Sequence, residues 1–64
     1  MFTWRYLDED GEERGRSELF PDREAAEAWM GHAWEDLLAA GHAEVALHDD
    51  DRDTRIYRMG LSEA

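Results

Sequence analysis

The chain has 64 residues, of which 17 are acidic and seven basic, for a formal net charge of −10. That length holds one domain at most and leaves no room for a nucleotide fold or a cleft lined from several elements. Cysteine is absent, so disulfide frameworks and thiolate metal sites are excluded.

Residues 2–7, Phe-Thr-Trp-Arg-Tyr-Leu, alternate with period two. Phe2, Trp4 and Tyr6 fall on one face and Thr3, Arg5 and Leu7 on the other, as in a half-buried strand. Residues 8–15 have no period and two glycines, so they read as a turn. A short second strand is expected over 16–20. Pro21-Asp22 then opens a helix of about 22–40. Asp22 suits the N-cap because its carboxylate can accept from the free first-turn amides, and Glu24 and Glu27 suit the positive end of the dipole. At about 100° per residue, Ala26, Trp29, Met30, Ala33, Leu37 and Ala40 share one arc, with Trp34 and Leu38 at its edges. Gly41 stands where a left-handed residue should end the helix.

A third strand is expected over 43–48, with Val45 and Leu47 inward and Glu44, Ala46 and His48 outward. Asp49-Asp50-Asp51-Arg52-Asp53 is a polar turn. The last strand, 54–59, alternates ambiguously; Tyr57 and Met59 are placed inward. The result is an α+β chain of ββαββ order: a two-layer sandwich with one amphipathic helix on a four-stranded antiparallel sheet. Strand order 2-1-3-4 puts the aromatic and the apolar strand at the centre. The same trace sends the acidic turns at 8–13 and 49–53 to opposite ends.

The motifs with chemical potential are sparse. Asp49, Asp51 and Asp53 have the spacing that begins a calcium loop. Such a loop needs glycine at its sixth position and a bidentate glutamate at its twelfth, and Thr54 and Gly60 stand there. A solvated turn is the better reading. His32 and Asp36 are four apart on the helix, but nothing completes a ligand set, so an exposed pair is favoured. Ser17 and Ser62 have no evident base, and the carboxylates lie in solvated turns where nothing splits their pKa values. No enzymatic activity, cofactor, metal or small-molecule substrate is expected.

The basic residues are all arginine. With abundant Ala, Gly, Asp and Glu this is the pattern of GC-rich coding, with a salt-adapted surface as the second explanation. The charge argues against direct nucleic-acid binding, because phosphate contacts need clustered Lys and Arg. No apolar run reaches membrane-spanning length, and the first residues do not form a signal peptide, so a cytoplasmic location and no membrane contact are expected.

Surface scaling gives about 4,200 Å² folded against about 10,900 Å² unfolded. Apolar burial then contributes about 100 kcal/mol and ordering the chain costs about 96 kcal/mol. So narrow a margin favours extra burial. The sheet face away from the helix is where it could occur: Arg5, Leu7, Ala46, His48, Ile56 and Arg58 are the candidate contact residues, on a face expected to be nearly free of acid. The expected function is a non-enzymatic protein-interaction module that self-associates, as a homodimer, or docks an unknown protein. The alternative is an acidic nucleic-acid mimic that binds a basic site on a DNA- or RNA-binding protein, with the acids of the two turns standing in for phosphates.

The stretch Phe20-Pro21-Asp22-Arg23-Glu24-Ala25-Ala26-Glu27-Ala28-Trp29, followed by Trp34-Glu35-Asp36-Leu37-Leu38-Ala39-Ala40-Gly41, resembles a group of small acidic proteins of high-GC actinobacteria. Trp4-Arg5-Tyr6 and the tyrosine of the last strand fit the same pattern. The resemblance implies a fold and a source, and transfers no activity. The Tyr57-Arg58-Met59-Gly60 end departs from that group's tyrosine-glycine-proline ending, which leaves the register of the last strand open.

Overall fold

The computed structural model describes residues 1–61. Its elements are β1 (Phe2–Leu7), β2 (Glu13–Arg16), α1 (Arg23–Ala39), β3 (Glu44–Asp49) and β4 (Thr54–Gly60). The strands form one antiparallel sheet in the order β2-β1-β3-β4. This is the α+β, ββαββ arrangement expected from the sequence, with the two central strands as predicted.

The helix ends are set by local chemistry. The Asp22 carboxylate accepts from the Ala25 amide at 2.7 Å. At the other end the Gly41 amide donates to Leu38 O and the His42 amide to Leu37 O. That pair of bonds requires a left-handed residue at Gly41, whose φ is +97°. The helix buries Ala26, Met30 and Leu37, with Trp29, Ala33, Trp34 and Leu38 half-buried around them.

The core joins this stripe to one face of the sheet. Trp4 and Leu47 pair across β1 and β3, and Leu47 and Tyr57 across β3 and β4. Trp4 is 0% exposed, and its indole N–H donates to the Ala26 carbonyl at 2.8 Å. A buried indole needs such a partner, and this one ties β1 to the first turns of α1. Phe20 packs on Trp29 with ring centroids 5.4 Å apart, closing the near end.

The second strand differs from its expected range. It runs over Glu13–Arg16 instead of 16–20. The Asp8 carboxylate accepts from the Asp10 and Glu12 amides, and Gly11 N donates to Asp8 O. The turn therefore closes within 8–12, and polar residues join the ladder early. Residues 17–20 still follow β1, through a separate bridge between Phe2 and Phe20. Gly15 is needed where it sits: a Cβ there would lie 3.0 Å from the Tyr6 ring, which covers it.

The last strand carries the second correction. A bulge lies between Leu47 and His48, so that His48 pairs with Arg55 and Ile56 is passed over. Ile56 is half-buried and packs against the core cluster instead of standing beside Ala46.

Candidate functional site

The face of the sheet away from α1 was expected to be open, mixed and nearly free of acid. It is lined with acid, held in ion pairs. Arg5 lies 3.0 Å from Glu13 and 3.5 Å from Asp50. Thr3 donates its hydroxyl to Asp50 at 3.1 Å. His48 Nε2 is 3.1 Å from Asp53, Arg16 is 2.6 Å from Glu13, and Arg58 is 3.9 Å from Glu44. Two local facts put the acid there. The early entry of β2 brings Glu13 opposite Leu7, and the turn after β3 folds Asp50 back over Thr3.

This network acts as a lid. Leu7 is 1% exposed and Ala46 0%, although no helix or second sheet covers them. The aliphatic stems of long charged side chains can bury apolar surface while their heads stay wet. Of the six candidate contact residues, the structure groups Arg5, Leu7, Ala46, His48 and Arg58 on this face and separates Ile56 from them. Arg55, opposite His48, takes the place on the ladder that alternation alone would give to Ile56. A bulge leaves no mark in hydropathy, so sequence reading missed it.

The network is imperfect at one atom, since Arg5 Nε is buried without a partner. Elsewhere the carboxylates are well served. Glu13 is held below the usual carboxylate range by Arg16 first and Arg5 second. Asp8 is held low by the Glu12 amide, then by Arg14 and the Asp10 amide.

On the helix side a different surface appears, at the border between α1 and β4. A groove of about 250 Å³ is lined by Met30, Gly31, Trp34, Tyr57 and Met59, together with Trp4 and Glu27. A second, larger depression of about 590 Å³ shares Trp34 with it and is lined by Glu35, Leu38 and Ala39. Met59 is 40% exposed. One end of the border is stapled. The Tyr57 hydroxyl donates to Glu27 at 2.7 Å. Glu27 also pairs with Arg23 at 3.4 Å, and the Arg23 guanidinium lies 5.1 Å from the Tyr57 ring centroid. Burial, then the Glu27 carboxylate, pushes the Tyr57 hydroxyl up to about 12.

Gly31 is the odd member of this border. It sits mid-helix, where glycine costs about 1 kcal/mol relative to alanine. A Cβ there would meet nothing within 4 Å. Among the described residues no contact accounts for a glycine at that position.

The acidic turns lie at opposite ends of β1, as the trace predicted. Phe2 pairs with Asp49 and Leu7 with Glu44, which sets the turns roughly 17–20 Å apart at about 3.3 Å per residue. Asp49 accepts from the Asp51 amide, while Asp53 turns to His48, so the calcium-like spacing splays its carboxylates. Among the described residues no group of three His, Asp or Glu side chains converges as a metal would need. Among them, too, no helix is long and apolar enough to cross a membrane. Comparison of the chain with known protein families, curated proteins and solved structures gave no match.

Proposed function

We propose that this chain is a small protein-interaction module that works without catalysis, and that its contact lies in the groove between α1 and β4. The observation that carries the reading is Gly31. A helix that gives up stability to leave an apolar groove unfilled is explained by an occupant. The groove also gathers three aromatic side chains and two methionines, and methionines adapt to a partner's shape at low cost.

Self-association through the opposite face gains less. Leu7 and Ala46 are already covered within one chain, so a dimer there would have to displace ion pairs before it buried new apolar area.

A photo-crosslinking residue at Met59 tests this, with the same residue at Ala28, on the exposed back of the helix, as control. A discrete cross-linked product from Met59 and none from Ala28 is the expected outcome. The same products from both positions, or none from either, would sink the reading. A product with the mass of two chains would identify a second copy as the partner.

A further inference from the structure

We infer that the groove and the free edge of β4 together accept an extended segment of another protein, which adds to the sheet as a fifth strand and alternates apolar and acidic residues. This rests on the interaction reading above and names the chemistry of the partner.

The sheet has two edges, β2 and β4, and they differ. The ladder at each edge carries one bulge, but the β2 edge is only four residues long and is wrapped by its own ion pairs. The β4 edge has seven residues, the longest strand of the sheet, and among the described residues no strand pairs with its outer side. An unpaired edge offers a row of backbone donors and acceptors, which is how many domains bind extended peptides.

The two faces of β4 then state what the added strand must carry. Tyr57 and Met59 pair with Leu47 and Val45, so they stand on the helix side and line the groove. Arg58 pairs with Ala46 and Arg55 with His48, so both arginines stand on the other side. β4 has no acidic residue. Six of the seven arginines have a carboxylate within 4 Å; among the described residues Arg55 has none. Arg58 is 53% exposed and only 3.9 Å from Glu44. In a chain of charge −10 this edge is where positive charge is left unspent. A neighbouring strand puts alternate residues on alternate faces. Its apolar residues meet the groove, and its acidic residues meet Arg55 and Arg58.

The same charge disfavours a second copy at this edge. Two β4 strands side by side crowd four arginines into one short ladder, and like charges across strands repel.

The test is an amide-resolved NMR titration with a short capped peptide of alternating valine and glutamate, and with its counterpart carrying lysine for glutamate. The glutamate peptide should shift the β4 amides, leave the β2 amides unmoved, and bind about tenfold more tightly than the lysine peptide, in line with cross-strand charge pairing. The double variant Arg55→Glu/Arg58→Glu should reverse that preference. These positions are exposed, and a melting curve checks that the variant folds. Gly31→Leu should raise the melting temperature while weakening the glutamate peptide by about tenfold, a pairing of effects that a damaged fold does not give. Equal binding of the two peptides, shifts on β2 instead of β4, or concentration-dependent dimerisation through β4 without peptide would overturn the proposal. If neither peptide binds yet Met59 still cross-links to one product, strand addition falls and the interaction module stands. Silence in both experiments removes both.

Discussion

The two faces of this sheet are buried to the same depth by different chemistry. On the helix side, Trp4 is sealed by rings, a methionine and one indole hydrogen bond to a helix carbonyl. On the other side, Leu7 and Ala46 lie buried on a face where Arg5 and Arg58, the cross-strand neighbours of Ala46, have their heads held by Glu13, Asp50 and Glu44. The first cover is a second layer of structure. The second is assembled from side chains of the sheet and its turns. The described residues form one helix, and this is how so short a chain dries both faces. The comparison also frames where the groove lies: α1 packs most closely over β1, and the groove opens along the border between the helix and β4, at the sheet's edge.

The largest expected effect breaks the helix side. Trp4→Ala removes the ring from the centre of the core and orphans nothing, since Ala26 O remains a helix acceptor. Large-to-small changes of this kind cost about 3–5 kcal/mol. A domain of this size has roughly 3–10 kcal/mol in total. Urea denaturation followed by circular dichroism should find the variant largely unfolded in buffer. Retention of a cooperative transition at the parental midpoint would show that Trp4 is not the keystone.

A smaller effect is expected on the ion-paired side. Asp50→Ala takes the acceptor from Thr3 and one of two carboxylates from Arg5. Losing partners of groups this well buried costs about 1–2 kcal/mol. Salt separates the two faces. The cost of Asp50→Ala should shrink in roughly molar salt, where the screening length falls to about 3 Å, while the cost of Trp4→Ala should not. Equal salt dependence of the two variants would end the distinction.

Much of the helix side was legible in the sequence because apolar periodicity reports it. The Phe2-Trp4-Tyr6 alternation, the Asp22 cap, the Gly41 stop and the strand order all follow from local rules. What hydropathy could not show is how charges pair. Residues 13–16, Glu-Arg-Gly-Arg, have no apolar phase, and they form a strand because Asp8 closes the turn early and Arg5 meets Glu13. The bulge at His48 was invisible for a related reason: Ile56 and Arg55 fit alternation equally well in either register, and cross-strand pairing decides between them. The candidate contact face was therefore drawn with the right strands and the wrong surface chemistry. The groove was half legible, since Trp34 was placed at the edge of the helix stripe, but its other wall depends on how far α1 leaves β4 uncovered.

The smallest expected effect is in pH, and it reads the two faces at opposite ends of the scale. Glu13 has its folded-state pKa lowered by Arg16 and Arg5. The unfolded chain therefore binds its proton first as pH falls. That contribution is whole above the ordinary carboxylate range and is lost as pH drops through the lowered value. Tyr57 is raised from an ordinary 10.0 to about 12 by burial and Glu27. The folded chain holds that proton longer, so its contribution is whole below about 10 and is lost as pH climbs toward about 12. Tyr6 is also raised, mainly by burial, so Tyr57→Phe should flatten the alkaline fall in melting temperature without abolishing it. Glu27 belongs to the helix side yet titrates in acid, because the Tyr57 hydroxyl holds it low. For that reason Glu13→Gln is best read in the Tyr57→Phe background, where the acid limb should flatten further. An alkaline limb unchanged by Tyr57→Phe would mean that the Tyr57–Glu27 staple adds nothing to the border, and that the groove is held open by packing alone.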